Sequence, residues 1–478
     1  MTYLQTLFGW LGDATWGWAL IPFLVVLGGA FTLLSGFVQL RYFGRMWGVL
    51  SDGGDRDGGV SSREALLVSI GGRVGGGNIA GVAVAITLGG PGAVFWMWVV
   101  ALIGMATSLF ECALAQLYKR TEPDGTFRGG PAQYIRHGLG ANFNWLAVLY
   151  AICLLASFGL GFSAFQGNTV AVAAQDSLGL DPIWVGLGLA LVTLVIVFGG
   201  IKRIARVSDV IIPIMAIGYI VLALAVIVLN VTEVPQALWT IVANAVGLEE
   251  AVGGGIGAAV SQGMRRGLFS NEAGLGSAPN VAAAAAVPHP ISQGIVQSLS
   301  VFIDTIIICT CTALVILLGD VYVPGATDVD GVALTQQSLV GHLGDWSQYF
   351  LTGAVLLFAF SSIIYNYYLG ETALTVLSDT KIARLLLRLA VPLVVFLGAA
   401  APGATAVFFF SDPLMGLLAL VNLLALAMLF PVGLRLLADY RRQLRAGAVE
   451  PVLEIADYAD LDLDRDAWAA PARTRPLG

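Results

Sequence analysis

Charge is what this chain lacks. Only 12% of its 478 residues are Asp, Glu, Lys or Arg, while 57% are hydrophobic, which excludes a water-soluble domain with a polar surface. Histidine is scarce: His137, His289 and His342 fall in loops and read as solvated side chains rather than proton relays. The four cysteines, Cys112, Cys153, Cys309 and Cys311, lie inside apolar runs without partners at ligand spacing, so neither a disulfide framework nor a zinc centre is indicated. No nucleophile, base and orienting group stand together, which argues against an enzyme, and no charged ring or carbonyl filter motif marks a channel. No nucleic-acid partner and no organic cofactor are expected. The first 15 residues lack the basic start of a cleavable signal peptide, so the first apolar run, Trp16 to Phe37, reads as a retained helix.

What the chain has is apolar runs of membrane-spanning length, and these predict an all-α polytopic membrane protein rather than a barrel of short alternating strands. Eleven candidate spans emerge, at 16–37, 64–88, 92–117, 145–173, 183–200, 209–230, 249–268, 291–319, 348–370, 384–401 and 405–437. Basic residues occupy every second loop: Arg41, Arg45, Arg56 and Arg63; Lys119, Arg120, Arg128 and Arg136; Lys202, Arg203 and Arg206; Arg265 and Arg266; Lys381, Arg384 and Arg388; then Arg435, Arg441, Arg442 and Arg445. The intervening loops carry acids alone. By the positive-inside rule the N-terminus lies outside the plasma membrane and the C-terminus in the cytoplasm. The acidic end, with Glu450, Glu454, Asp457, Asp460, Asp462, Asp464 and Asp466, reads as a solvated tail.

Glycine is abundant, at 59 residues, and two spans carry it in clusters. Ile70 to Val84 reads IGGRVGGGNIAGVAV. Its Gly75, Gly77 and Ala80 fit a dinucleotide fingerprint only formally, because a second membrane span follows where the acidic residue should be. Close helix packing accounts for the glycines but not for Arg73 or Asn78. An arginine in mid-span costs roughly 3 kcal/mol on insertion scales and needs a partner or cavity, for which Glu111 and Asp304 are candidates. Asn78 beside an unwound turn would present a carboxamide and free backbone groups to one cavity. The second cluster is Gly253 to Met264, GGGIGAAVSQGM, in span seven. Spans two and seven are five apart. Setting span one aside leaves two five-helix halves of opposite topology, and paired interrupted helices in such halves point to a transport site. The expected organisation is an N-terminal helix and loop over 1–63, a first repeat over 64–230 broken near 71–78, a second over 231–440 broken near 253–264, and a tail over 441–478.

Three blocks, GNIAGVAVAITLGGPGAVFWMW, GMATSLFECALA and RRGLFSNEAGLGSAPNVAAAA, resemble the signatures of the alanine or glycine:cation symporters, sodium-coupled amino-acid carriers of the leucine-transporter fold. The likeness covers spans two to ten. It implies that a small amino acid such as alanine or glycine binds between spans two and seven, with help from spans four and nine. The family's Thr-Gly-Asn turn stands here as Gly76, Gly77 and Asn78, without the threonine. Phe165, Gln166, Gly167 and Asn168 resemble its Val-Gln-Ala-Asn run, whose glutamine touches substrate. The implied pocket is Gly75, Gly76, Gly77, Asn78, Phe165, Gln166, Gly254, Ile256, Gln262 and Met264. The implied Na⁺ cage takes carbonyls from Gly71, Val74 and Phe358 and hydroxyls from Ser361 and Ser362; such an all-neutral oxygen set suits a monovalent ion. The usual Gly-Trp pair after this point reads Tyr365-Asn366. Arg265, Asn271 and Glu272 fit an inner gate in which Asn271 and Glu272 cap a re-entering helix. A proton-coupled carrier of the same fold and a non-transporting membrane receptor are the alternatives.

Overall fold

The structure is a computed structural model that describes residues 9–48, 60–123, 125–198, 201–248, 255–326, 331–378 and 380–468, with the backbone alone at 201–213, 215, 405 and 410. Among the described residues it is mainly helical, with one short hairpin, β1 (Arg120–Thr121) paired with β2 (Phe127–Arg128). The chain opens with α1 (Gly9–Leu34), then α2 (Ser62–Arg73) and α3 (Gly77–Gly89), bent by 50° at the break between them. There follow α4 (Gly92–Leu117), α5 (Ala141–Leu178) and α6 (Pro182–Val197). Helix α7 (Ile201–Leu229) turns by 103° into α8 (Val234–Val246). The second half has α9 (Gly255–Asn271), the single-turn α10 (Ser277–Ala282), α11 (Pro290–Leu317), α12 (Gly331–Leu343), α13 (Trp346–Leu377), α14 (Lys381–Ala399) and α15 (Ala404–Arg445).

Local chemistry sets these ends. A capping box of Ser61 and Glu64 starts α2, and Asp181 receives the Ile183 amide ahead of Pro182 to start α6, each satisfying an orphan donor at a helix start. Among the described residues seven helices are long and apolar enough to cross a membrane, nine if each bent pair is one span. The described parts of the eleven expected segments lie largely on helix, but the count of eleven spans is not reached. The two short of the count are α6, at 16 residues, and α9, at 17.

Close approach of helices explains glycines that the sequence made look like breaks. Gly263 of α9 lies against the Trp96 side chain and the Ala93 backbone of α4, and Gly267 against Met97 and Val100. The helix is therefore regular over Gly255–Asn271, and the expected break at 253–264 is corrected: it lies at 272–276, where Glu272 (φ 55°), Gly274 (φ 89°) and Gly276 (φ 83°) take left-handed conformations. Gly253 and Gly254 lie outside the described residues.

The tail is also corrected. Rather than standing in solvent, 449–468 lies as a strap across the end of the bundle where the basic residues gather. The Leu453 amide donates to the Pro288 carbonyl at 2.8 Å. Tyr458 is buried beneath the Arg435 guanidinium. Asp460 pairs with Arg435 at 2.7 Å, and Asp462 with Arg120 at 3.0 Å and His137 at 2.6 Å. The Trp468 indole donates to Leu117 O at 3.2 Å and, with Phe127, encloses the Lys119 ammonium. Exposed ion pairs are each worth under about 1 kcal/mol, so the buried apolar side chains between the acids are what fastens the strap.

His289 is no solvated loop residue either: it is fully buried. Its Nδ1 accepts the Ile291 amide at 3.1 Å, capping α11, and its Nε2 faces Asp439 Oδ2 at 3.3 Å. Burial outweighs that carboxylate, which Arg442 and Gln443 share, and pushes the imidazole from 6.5 down to about 4. Proton uptake by His289 therefore opposes folding; the stability is full above the unfolded pKa of 6.5 and is lost as pH falls towards 4, by roughly 3 kcal/mol at most. His289→Asn, which keeps a capping oxygen, is expected to flatten the fall in thermal unfolding temperature of the detergent-solubilised protein between pH 6.5 and 4.

Candidate transport site

Helix α2 stops at Arg73 because Val74 and Gly75 leave the helical path; Gly76 is back in helical dihedrals (φ −55°, ψ −26°) before the wider π-type turn Gly77–Gly81 begins α3. Four amides released there find acceptors, as buried backbone donors do. Val74 N donates to Ile70 O at 2.7 Å, Gly75 N to Asn78 Oδ1 at 2.9 Å, Gly76 N to Gln166 Oε1 at 3.2 Å and Asn78 N to Gly75 O at 3.2 Å. The amide nitrogen of Asn78 donates to Asp304 Oδ1 at 2.6 Å and to Ser270 Oγ at 3.0 Å. Asp304 Oδ2 in turn accepts from Ser270 Oγ and Thr305 Oγ1, both at 2.8 Å. The Asn78 carboxamide is thus fully spent in knitting the turn to α9 and α11, and is not presented to a cavity.

Glycine at the turn is required by what lies opposite. A Cβ at Gly75 would sit 2.5 Å from Ser362 Oγ, and one at Gly76 2.9 Å from both the Phe165 ring and Thr169 Oγ1 and 3.0 Å from Gln166 Oε1. The space of the missing threonine is therefore filled by α5, and its hydroxyl has a counterpart in Thr169. Gly77 faces Phe269. Phe269 crosses Phe165 at 5.1 Å and Phe408 at 4.9 Å and stacks on Phe162 at 4.4 Å between ring centres, forming an aromatic layer beside the turn.

On the other side of the turn, Ser361 Oγ lies 3.0 Å from Gly71 O and 2.9 Å from Phe358 O, and Ser362 Oγ 3.4 Å from Gly72 O. Gly71, Phe358 and Ser361 are brought together, with Ser362 adjacent on the same helix; Val74 is buried one residue past the end of α2. The donors are neutral carbonyl and hydroxyl oxygens, which fit a monovalent hard cation and would be a poor set for Ca²⁺.

Phe165 and Gln166 also reach the turn. Two of the α9 candidates lie away from it: Ile256 is 45% exposed in the first turn and lies on Gly247, and Gln262 faces Gly89; Met264 is buried, and Gly254 is outside the described residues. With the break at 272–276, the residues of α9 that meet the turn are Phe269 and Ser270. They sit in the RGLFSNEAGLGSAP block, whose glycine spacing was the signal that the break lay there. Asp304, weighed in the sequence as a partner for Arg73, is likewise part of this cluster.

Arg73 pairs with neither expected carboxylate among the described residues. Its guanidinium donates to Ser300 Oγ, to Ser108 Oγ at 3.3 Å and to Gln297 O at 3.3 Å. Glu111 instead accepts from Gly274 N at 3.2 Å and Asn422 Nδ2 at 3.1 Å, holding the second break. Asn271 Oδ1 takes the Ala273 amide at 3.0 Å, and Glu272 takes the Ser277 hydroxyl at 2.5 Å. Neither caps an amide of α10, whose start has no side-chain cap; they brace the break.

Two helices interrupted inside an apolar bundle, with their broken stretches tied together by side chains, define a secondary transporter of the leucine-transporter fold. The chain matches the solved structure of MhsT in complex with L-phenylalanine with a TM-score of 0.58 at 13% identity, over 80% of this chain and 99% of that one. The chain belongs to the sodium:alanine symporter family, whose description matches residues 1–455. It is 46% identical to the amino-acid carrier protein AlsT of Bacillus subtilis over 98% of each chain. It is 43% identical to a probable sodium/glutamine symporter, GlnT, of the same organism, over 93% of this chain and 92% of that one. It is accordingly a multi-pass membrane transporter of amino acids and not an enzyme.

Because α5 occupies the space beside Gly76, Gly76→Thr is expected to overpack the turn and destabilise the protein by about 1–3 kcal/mol, read as a lower unfolding temperature in detergent. Thr169→Ala in the same chain should recover part of that loss.

Proposed function

We propose that the protein carries a small neutral amino acid, alanine or glycine, into the cell together with Na⁺ by alternating access. The carrying observation is the unwound turn with two oxygen environments on its flanks: Gln166 on one side, the neutral Gly71, Phe358 and Ser361 oxygens on the other. The cation would be held by Gly71, Val74, Phe358, Ser361 and Ser362. The substrate carboxylate would take the Gly76 amide at the positive end of α3, displacing Gln166, whose oxygen then accepts from the ammonium. Gly77, Asn78 and Phe165 would shape the pocket, with Phe269 and Ser270 in place of the earlier α9 candidates. One cation moving down a membrane potential of 100 mV supplies about 2.3 kcal/mol, enough for substantial accumulation without ATP. The reading places 64–230 and 231–440 as two inverted halves in the plasma membrane, with the N-terminus outside and the strap-bearing end in the cytoplasm.

A second reading, proton coupling, is favoured by one observation: the buried Asp304 carboxylate lies at the turn and has no ion pair among the described residues. Uptake of labelled alanine into proteoliposomes separates the two. An inward Na⁺ gradient should drive it and K⁺ should not; uptake that follows a pH gradient and ignores Na⁺ would establish the proton reading instead. Competition by glycine, serine and glutamine would then set the size limit of the pocket. Ser362→Ala should raise the Na⁺ concentration for half-maximal uptake roughly tenfold, the scale of one lost polar contact of ~1.4 kcal/mol.

A further inference from the structure

The face of α13 that carries the cage oxygens continues to a residue with no place in binding. Phe358, Ser361, Ser362 and Tyr365 follow the i, i+3, i+4, i+7 spacing that aligns side chains on one side of a helix. The Tyr365 ring is seated on α2: a Cβ at Gly72 would lie 2.6–2.7 Å from three of its atoms. Its hydroxyl donates to Glu272 Oε2 at 3.0 Å. Glu272 opens the second break, and the same oxygen accepts from Ser277, the first residue of α10. Gly72 itself receives the Ser362 hydroxyl at 3.4 Å. Tyr365, Glu272, Ser277 and Ser362 are all buried. One continuous set of contacts therefore runs from the cage, through the Gly72 seat and the Tyr365 hydroxyl, to the second broken helix.

We propose that Tyr365 is a positioning residue that couples the cation cage to α10, keeping α10 docked on α13 until the cation leaves. The inference rests on the cage reading above. A cation drawing oxygens from both α2 and α13 holds Gly72 against the ring, and so holds the hydroxyl on Glu272. Opening the strap-bearing end requires α10, now buried from Ser277 to Ala282, to part from α13. That movement breaks the Tyr365–Glu272 bond and leaves a buried carboxylate with one donor fewer, which is costly while the seat is in place.

The test uses the full-length protein in proteoliposomes loaded with labelled alanine. Tyr365→Phe keeps the ring on Gly72 and deletes the hydroxyl. It is expected to raise alanine efflux in the absence of Na⁺ roughly tenfold, the equivalent of ~1.4 kcal/mol of lost closure, while alanine exchange at saturating Na⁺ stays near the wild-type rate. Glu272→Met, an independent change of similar shape that removes the accepting oxygen, should leak at least as much, and the double variant no more than the leakier single one, because the Tyr365–Glu272 bond is removed by either. A Tyr365→Phe protein as tight without Na⁺ as wild type would overturn the proposal, as would additive leaks in the double variant. Ser362→Ala separates the failures. If it weakens the Na⁺ dependence while Tyr365→Phe stays tight, the coupling falls and the cage stands; if wild-type uptake ignores Na⁺, the cage reading falls and the coupling with it.

Discussion

A backbone amide or carbonyl inside a bilayer has no water to turn to, and this protein leaves two short stretches of them, 74–76 and 272–276, in the middle of its bundle. The architecture around them follows from that requirement. Some freed groups are met from within the broken span, as Gly75 is by Asn78 and Ala273 by Asn271, and others by side chains of different helices: Gln166 of α5 at Gly76, Glu111 of α4 at Gly274, Asn422 of α15 at the Gly274 carbonyl. The breaks thereby tie several helices together.

The charged groups near the breaks are handled in a way that suits movement. Arg73, Glu111, Glu272 and Asp304 are all buried, yet each is satisfied mainly by neutral donors or acceptors rather than by a direct ion pair. Separating a buried ion pair costs about 3–5 kcal/mol, whereas a single hydrogen bond to a charged group is worth about 1.5–3 kcal/mol. A network of the second kind can be rearranged one contact at a time. The one positive charge set among three carboxylates also leaves the interior receptive to an incoming cation or proton.

The helical class was legible because span length is set by the bilayer, which acts on every residue in the same way; the alternation of basic loops fails at Arg265 and Arg266, which lie within α9 rather than in a loop, Arg266 pairing with Asp412 inside α15. The first break was legible too, because Arg73 and Asn78 are too polar to stand in a regular span without a reason. The second was misplaced by about a dozen residues, since a glycine that lets two helices touch, as Gly263 does on Ala93, looks in sequence like a glycine that ends one. Phe269 and Ser270 were lost with that register. The strap was hidden for a different reason: acidity suggested solvation, and only the fold shows that Arg120, His137 and Arg435 converge beneath it. His289 was hidden by its place between two prolines, a loop signal that says nothing of burial.

The end opposite the strap is closed by other means, and the contrast bears on how the molecule works. On the Gly255 side of the second break, Arg266 pairs directly with Asp412 of α15 and lies 3.8 Å from the centre of the Phe408 ring, over the aromatic layer that covers the turn. The Trp16 indole of α1 donates to the Asp412 carbonyl at 2.9 Å, so a third helix holds the backbone of the acidic partner in place. Direct pairing of two buried charges, backed by stacking and a third helix, is the sturdier arrangement. The strap side rests instead on surface ion pairs, a few buried apolar anchors and the hydrogen-bonded second break. Of the two closures, the strap side is the one whose contacts can be released in small steps.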